Sequence, residues 1–277
     1  MKIADAMTMR EIDRAAMDEY GVHGLQLMEN AGRGVAEAVK REMTACAFGT
    51  SAPVLIVAGK GNNGGDGYVA ARHLKNSGCD VMVFSLAPVA ELKGDAALNA
   101  RAWRKMGGEV RALLSEDDLK EGASLFRSAC VIVDAIFGTG LASPVKGIAA
   151  KVIDLINGLD KKVVAVDVPS GIDASTGAVF GLAVRACITA TMALPKIGLY
   201  TYPGRSYAGR VDIVDTGVPA RLLTDVGIRW NLLCREDVKG FLRSRPGDSH
   251  KSTCGHLLVI AGSPGKTGAA DMTAMGA

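Results

Sequence analysis

Apolar and polar residues follow two alternating patterns along the chain, and their order predicts an α/β fold. Short, continuous apolar runs such as Val54–Ala58 are typical of strands in a sheet that helices cover on both faces. Alternation of strands with helices indicates parallel strands joined by right-handed crossovers. We therefore predict a doubly wound, mostly parallel sheet in a Rossmann-like, three-layer αβα arrangement, with strands at residues 54–58, 81–85, 130–134, 162–167, 186–192 and 210–214.

Two helices are predicted before the first strand. Thr8 and Glu11 have the spacing of a capping box, which predicts a helix start at Thr8, and Gly21 suits the C-terminal end of that helix. The next helix is predicted over residues 25–43. Later helices are predicted over residues 67–76, 91–106 and 145–157.

The pattern changes near the C-terminus. Residues 222–248 have no clear period, and residues 244–249 have the composition of a linker. A strand is predicted at 255–261, then a glycine-containing loop at 262–268 and the start of a helix at 269–276. One strand and half a helix are too little to bury a core. We therefore expect a first domain at 1–220, a connecting segment at 221–249 and the opening of a second domain, cut short, at 250–277.

The composition is that of a globular protein, because 48% of residues are hydrophobic and 22% are charged. The net charge is 32 − 29 = +3, too small for a nucleic-acid coat or a polybasic membrane patch. No apolar run approaches the roughly 18 residues that span a bilayer, and charges interrupt the N-terminus where a secretory signal needs an apolar core. The cysteines are far apart, which favours reduced thiols in a cytoplasmic protein.

The first candidate site follows the predicted strand at 54–58. Its sequence from Gly59 to Gly67, GKGNNGGDG, contains the spacing G-x-G-x-x-G and precedes a helix. Glycines let backbone N–H groups approach a phosphate, and the N-terminus of the helix favours negative charge. A nicotinamide dehydrogenase also needs an acid at the end of the second strand, where this chain has Phe84-Ser85-Leu86. The segment is therefore another kind of phosphate loop, or a glycine turn with capping polar residues.

Two later strands end in an aspartate that a glycine turn follows. Asp134 precedes Gly138-Thr-Gly140, and Asp167 precedes Ser170 and Gly171. Because the carboxyl ends of parallel strands meet at one edge of a sheet, we expect the two carboxylates on the same edge. Asp167 is a candidate general acid or base.

Three other segments allow weaker interpretations. Asp173 is expected to cap a turn. Lys196 either belongs to the site, where it would neutralise a phosphate or assist proton transfer, or is an ordinary solvated lysine. Residues 262–268 do not form a P-loop, because Ile260 stands where that motif needs a glycine. The four histidines lack the spacing of metal ligands.

Taken together, these motifs resemble the YjeF N-terminal domain family, the NAD(P)H-hydrate epimerases. The residues that carry the resemblance are GNNGGDG at 61–67, DAIFGTG at 134–140, VDVPSG at 166–171, PKIG at 195–198 and the helical segment LMENAG at 27–32. They occur in the family's order over about residues 1–218. Residues 255–268 are similar to the opening of a ribokinase-like, ATP- or ADP-dependent NAD(P)H-hydrate dehydratase domain. The resemblance implies a bifunctional repair enzyme whose dehydratase (lyase) activity needs a complete chain.

The resemblance also implies a site, residue by residue. Asp167 lies at the reacting nicotinamide ring, with Lys196 in support of the charge balance. A potassium ion is held by Asn63, Asp134 and Ser170, whose oxygen ligands suit a hard cation. The substrate's phosphates and ribose contact Asn62, Asn63, Gly64, Gly65, Asp66, Gly138, Thr139, Gly140, Leu141, Ala142, Ser143 and Pro144.

The implied reaction interconverts the R and S forms of NAD(P)HX, a reduced nicotinamide cofactor that carries a hydroxyl on C6. The resemblance further implies a cytoplasmic homo-oligomer, a dimer or larger, that binds neither nucleic acid nor membrane. ATP or ADP is expected only for the dehydratase half. The alternative is a non-catalytic nucleotide-binding or scaffold module on the same fold. The intact polar site and the small net charge argue against that alternative.

Overall fold

One parallel sheet organises the chain. The computed structural model describes residues 1–44, 52–225, 227–241, 247–250 and 255–276. Seven strands pair in the order β3–β2–β1–β4–β5–β6–β7, and every pair is parallel. The strands are β1 (Val54–Ala58), β2 (Val81–Ser85), β3 (Glu109–Ala112), β4 (Val131–Ala135), β5 (Lys162–Val166), β6 (Ile188–Met192) and β7 (Arg210–Val214).

Helices cover both faces of the sheet, so the predicted three-layer arrangement is confirmed. The helices are α1 (Ala6–Asp18), α2 (Gly24–Thr44), α3 (Asn62–Asn76), α4 (Gly94–Lys105), α5 (Glu116–Ser128), α6 (Gly147–Asn157), α7 (Arg205–Ala208), α8 (Ala220–Leu223), α9 (Arg235–Lys239) and α10 (Gly268–Met275). On one face, α2, α3 and α4 pack around Ile56 and Val133, and on the other, α5 and α6 pack around Leu55 and Ile132.

Some predicted boundaries are wrong. The first helix begins at Ala6 rather than Thr8, because the Asp5 side chain accepts a 2.7 Å hydrogen bond from the Thr8 backbone N–H and is the N-cap. Helix α3 begins at Asn62, so the glycine-rich segment is mostly the first turns of a helix and not a loop. Strand β3 and helix α5 were not predicted.

The order of the strands places a crevice above β1 and β4. Chain connections leave β1 toward β2 on one side and leave β4 toward β5 on the other, so the topology switches direction between these two strands. Ligands of doubly wound sheets bind outside the carboxyl ends of the strands at such a point. Both strands are buried throughout, which fixes the loops that follow them.

The beginning of the chain is bound into the first of two compact units, residues 1–232. Ala4 donates a hydrogen bond to the Pro195 carbonyl oxygen, which holds the start of α1 beside the loop after β6. The Met1 carbonyl oxygen accepts a 2.8 Å hydrogen bond from the Leu232 N–H, and the amino group of Met1 donates to the Leu232 carbonyl oxygen. Residues 1 and 232 are thus neighbours.

The second unit comprises residues 233–277 and contains the short helices α9 and α10. The predicted strand at 255–261 is wrong, since these residues form no regular element. Residues 244–246 of the predicted linker, and Cys46 and Cys254, lie outside the described residues. Among the described cysteines, Cys79 and Cys187 are free thiols. Within the described part of the chain, no helix is long and apolar enough to cross a bilayer.

Candidate functional site

A pocket of about 660 Å³ lies at the topological switch point. The loop after β1 and the first turn of α3 form one side of it, and the loop after β4 forms another. Residues that follow β5 and β6, together with one face of α1, complete the lining. The lining residues include Met9, Arg10, Asp13, Lys60, Gly61, Asn62, Asn63, Asp66, Gly138, Thr139, Gly140, Leu141, Ala142, Ser143, Asp167, Met192 and Lys196.

The start of α3 presents backbone N–H groups to this pocket. Gly61 is the N-cap and no side chain caps the helix, so the first turn at Asn62 and Asn63 keeps free donors. Gly64 and Gly65 are buried beneath this turn rather than in the pocket. A Cβ atom on Gly64 would lie 2.0 Å from the Gly59 carbonyl oxygen. Glycine at 64 therefore allows the turn to close against the strand end.

The loop after β4 approaches the start of α3 closely. A Cβ atom on Gly138 would lie 2.9 Å from Oδ1 of Asn63. The pocket lining continues from Gly138 to Ser143, whereas Pro144 is exposed and lies outside the lining. The geometry thus brings together two of the predicted substrate segments, apart from Pro144 and the two buried glycines.

Asp167 and Lys196 form a buried ion pair at the pocket. The exposed fractions are 8% for Asp167 and 1% for Lys196. Lys196 Nζ contacts Asp167 Oδ1 and also donates to the Met192 carbonyl oxygen at 2.8 Å and to Thr191 Oγ1 at 3.2 Å. Lys196 is therefore not a solvated surface lysine. Its charge holds the Asp167 carboxylate beside a space that can receive a ligand.

The backbone of Asp167 is in the left-handed region, with φ of 66°. Aspartate adopts this conformation more readily than most residues other than glycine. The Asp167 N–H donates to the Ala190 carbonyl oxygen at 2.8 Å, and its Oδ1 accepts from the Met192 N–H at 3.1 Å. Bonds on both main chain and side chain therefore fix the carboxylate.

Asp134 and Ser170 meet below the pocket. Asp134 Oδ1 accepts from Ser170 Oγ at 2.5 Å and Oδ2 accepts from the Ser170 N–H at 2.8 Å. Ser170 Oγ accepts in turn from the Phe137 N–H at 2.8 Å. Burial raises the pKa of Asp134 to about 6, although these hydrogen bonds oppose the rise. Within the described residues no basic side chain forms an ion pair with Asp134.

Asn63, the third predicted potassium ligand, lies at the adjacent turn. Its Nδ2 atom is buried and has no hydrogen-bond partner among the described residues. Among those residues no cluster of three or more His, Cys, Asp or Glu side chains is arranged to hold a metal ion. The carboxylate, hydroxyl and amide oxygens of Asp134, Ser170 and Asn63 form a different donor set, one that suits a hard monovalent cation.

Asp173 has the role expected for it. Its Oδ1 accepts a 2.8 Å hydrogen bond from the Ser175 N–H, which closes a turn away from the pocket lining.

Helix α1 contributes residues to the pocket that the sequence motifs did not predict. Met9, Arg10 and Asp13 all line the pocket. Asp13 is one position after Ile12 and one helical turn before Ala16, and both of these are buried. A carboxylate on the apolar side of an amphipathic helix is a signal that could have identified Asp13.

Comparison with known families agrees with the fold and the motifs. Residues 24–198 match the family described as YjeF-related protein N-terminus. The chain belongs to this family. Helix α1, and with it Asp13, lies before the matched region.

Relatives of two sizes resemble the chain. It is 41% identical over its full length to a bifunctional NAD(P)H-hydrate repair enzyme Nnr of Moorella thermoacetica, of which it covers 52%. It is 39% identical over 81% of its length to an NAD(P)H-hydrate epimerase of Pirellula staleyi, of which it covers 96%. The chain thus spans about half the length of the bifunctional relatives.

A solved structure supports the architecture. The crystal structure of the yeast protein ynu0 (YNL200c) superposes with a TM-score of 0.66 at 24% identity, and the match covers 91% of this chain and 98% of the yeast chain. At this identity the likeness supports the fold alone. The ribokinase-like continuation expected after residue 249 is not shown.

Proposed function

We propose that this chain is an isomerase that interconverts the R and S forms of NAD(P)HX. The observation that carries the proposal is the buried Asp167–Lys196 pair at the edge of a pocket whose other walls are glycine-rich loops. The names of the relatives supply the substrate class, since both the epimerase and the bifunctional enzymes act on NAD(P)H-hydrate. The residues that line the pocket support a proposed position for each part of such a molecule.

The phosphates belong at the start of α3 in this proposal. Free N–H groups at Asn62 and Asn63 and the positive end of the helix dipole favour an anion there. Lys60 lines the same part of the pocket and adds positive charge. The loop from Gly138 to Ser143 then faces the ribose and the second phosphate. This orientation directs the nicotinamide ring toward Asp167.

A proton delivered to the C6 hydroxyl lets it leave as water, and Asp167 accepts the proton that the returning water loses. The lone pair of the ring nitrogen expels the hydroxyl as water, and water returns to the planar iminium from the opposite face. Lys196 keeps the Asp167 carboxylate in position through direct contact. One positioned acid or base contributes about 10²–10⁴-fold to such a step.

Potassium fits the residues below the pocket in this proposal. Asn63, Asp134 and Ser170 would hold the ion, as oxygen ligands of a hard cation. The supporting observation is the buried Asp134 carboxylate, which forms no ion pair with a basic side chain in the described part of the chain. A bound potassium ion supplies positive charge next to the phosphate-binding turn.

The decisive experiment is conversion of purified R-NADHX, followed by chromatographic separation of the epimers. We expect turnover by the wild type and a loss of about 10²-fold or more in Asp167→Asn, because the amide cannot accept a proton. Asp154→Asn, on the exposed side of α6, is the matched control and should be fully active. Asp167→Asn activity within about tenfold of the wild type would exclude the assigned role.

The same experiment tests the alternative of a non-catalytic module. Tight binding of NAD(P)HX without conversion by the wild type would favour that alternative. The homo-oligomeric state stays a prediction, which sedimentation of the purified chain can test.

A further inference from the structure

Three carboxylates share the pocket with one buried ammonium group. Asp13 on α1, Asp66 on α3 and Asp167 after β5 all line it, together with Lys196. The three donors of the lysine go to Asp167, the Met192 carbonyl oxygen and the Thr191 hydroxyl. Lys196 therefore neutralises Asp167 and has no donor left for the other two carboxylates.

Asp13 and Asp66 differ from Asp167 in their partners. In the described part of the chain neither side chain has a hydrogen bond or an ion pair, although both are partly buried at the pocket. Three carboxylates that share one partly desolvated pocket repel one another when all of them are ionised. This repulsion favours a proton on one of the two carboxylates that have no partner, Asp13 or Asp66.

The proton is retained best on Asp66. Burial raises the pKa of Asp66 well above its usual range, repulsion from Asp167 and Asp13 adds to the rise, and Lys196 opposes it. Burial also raises the pKa of Asp13, where attraction to Lys196 opposes the rise and repulsion from Asp167 adds to it. Asp66 thus receives repulsion from two carboxylates.

Other charged groups on the elements packed against α3 are engaged elsewhere. Glu29 on α2 pairs with Arg72 and His73, more than one turn further along α3. Asp95 at the start of α4 lies beside Gly24, since a Cβ there would be 2.7 Å from Asp95 Oδ2.

The strands beneath α3 add two charged groups. Asp134 in β4 is bound to Ser170, and Lys162 at the start of β5 pairs with Glu42 at 3.0 Å. The remaining charged groups at the pocket are Arg10 and Lys60.

We propose that Asp66 is a second catalytic residue, the general acid that works with Asp167, and that Asp13 is a positioning residue that keeps the proton on Asp66. The inference rests on the proposed epimerase function. It also changes the expected role of Asp66, because an ionised carboxylate among the phosphates of the substrate would repel them. A protonated one beside Asp167 and Lys196 serves the nicotinamide ring.

Asp66 gives its proton to the C6 hydroxyl, the C6–O bond breaks with its electrons on oxygen, and water leaves while the ring nitrogen lone pair forms the C6=N bond. Water then adds to the opposite face of C6, the π electrons return to nitrogen, and the proton lost by the attacking water goes to Asp167. One proton has moved from Asp66 to Asp167, and exchange with solvent restores the starting form.

Two variants and one control test this assignment in the full 277-residue chain. Asp66→Asn should lower kcat by about 10²-fold or more with little change in KM, because the amide is not an acid. Asp13→Asn should move the high-pH decline of kcat/KM downward by about one pH unit, because it removes a like charge that favours the acid form of Asp66. Asp18→Asn, exposed near the end of α1, should change neither.

The outcomes separate this inference from the proposed function. A wild type that does not convert R-NADHX overturns both. An active wild type with Asp66→Asn within about tenfold of it overturns only the general acid. If Asp66→Asn melts far below the wild type, the pH profile of kcat/KM for Asp13→Asn decides. A high-pH decline at the wild-type position overturns the proposal, and a decline at lower pH supports it.

Discussion

Lys196 shows how much a single residue depends on its surroundings. A lysine beside a glycine is normally solvated, yet Lys196 is 1% exposed and all its donors are used. The decisive partner is long-range: the pairing of β5 with β6 brings Asp167 to Lys196, whereas Thr191 and Met192 precede Lys196 in the same segment. The local sequence could therefore leave both interpretations of Lys196 open but could not decide between them.

We predict that Lys196→Met lowers the free energy of unfolding by about 3–5 kcal/mol, because it leaves Asp167 buried without its partner. Combining it with Asp167→Asn should cost less than the sum of the single changes, since the two residues interact directly. Urea titrations of the four proteins measure this coupling. Lys151→Met, which removes the exposed pair of Lys151 with Glu116, is the control and should change the free energy of unfolding little.

The raised pKa of Asp134 predicts that the free energy of unfolding depends on pH. Its pKa is about 6 in the folded protein against a usual 3.8, so between these values the folded state binds more protons than the unfolded state. Its contribution to stability is therefore full below the unfolded pKa and is lost as the pH rises through about 6, by about 2–3 kcal/mol. In potassium-free buffer, Asp134→Asn should flatten this part of the profile, whereas Asp154→Asn should not.

Potassium bound at Asp134 should oppose the loss of stability that accompanies ionisation of this carboxylate. The ion interacts with the ionised carboxylate, so potassium chloride should raise the melting temperature more at pH 8 than at pH 5. Tetramethylammonium chloride at equal ionic strength is the control. Equal effects of the two salts at both pH values would exclude a potassium site at Asp134.

At the scale of elements, the first turn of α3 packs against the end of β1 and also lines the pocket. We predict that Gly64→Ala destabilises the protein, although alanine usually favours a helix over glycine by about 1 kcal/mol. The added Cβ would lie 2.0 Å from the Gly59 carbonyl oxygen, so the first turn of α3 would have to move. Gly61→Ala, with open space around it, should be tolerated. Thermal unfolding compares the two, and equal melting temperatures would show that the turn adapts freely.

The elements that the sequence predicted well are those with the strongest pattern. Strands β1, β2 and β7 have the predicted bounds, and β1 is an unbroken buried run. Strand β3 escaped prediction because it is a four-residue edge strand, EVRA, with no buried residue. Helix α5 has few buried positions, although its capping box of Ser115 and Asp118 was legible in the sequence.

The sequence motifs predicted the loops of the candidate site but did not predict all of its residues. Glycine turns after buried strands and the family resemblance pointed to the loops that follow β1, β4 and β5, and the structure brings these loops to one pocket. Asp13 could not be found in that way, because it comes from a helix that precedes the sheet in sequence. Its place follows from the hydrogen bond between Ala4 and Pro195, which no local pattern specifies.

For the whole molecule, the division into two units predicts where the activity resides. All pocket-lining residues belong to residues 1–232. A chain that ends at Leu232 should therefore keep epimerase activity and melt within about 3 °C of the full chain, the shift that about 1 kcal/mol produces at this size. Differential scanning calorimetry and the epimer assay test this.

A chain that ends at Val218 is the control for that truncation. It lacks Leu222, Leu223 and Ile228, which pack with Met9 and Ile12 of α1. It should be clearly less stable. Loss of activity on removal of residues 233–277 alone would contradict the assignment of function to the first unit.

The hydrogen bonds between Met1 and Leu232 have a consequence for protein engineering. The first and last residues of this unit are neighbours, and this geometry permits circular permutation and insertion into a loop of a host protein. The unit could therefore be inserted into another protein through two short linkers, and the pocket at the switch point of its sheet would be retained.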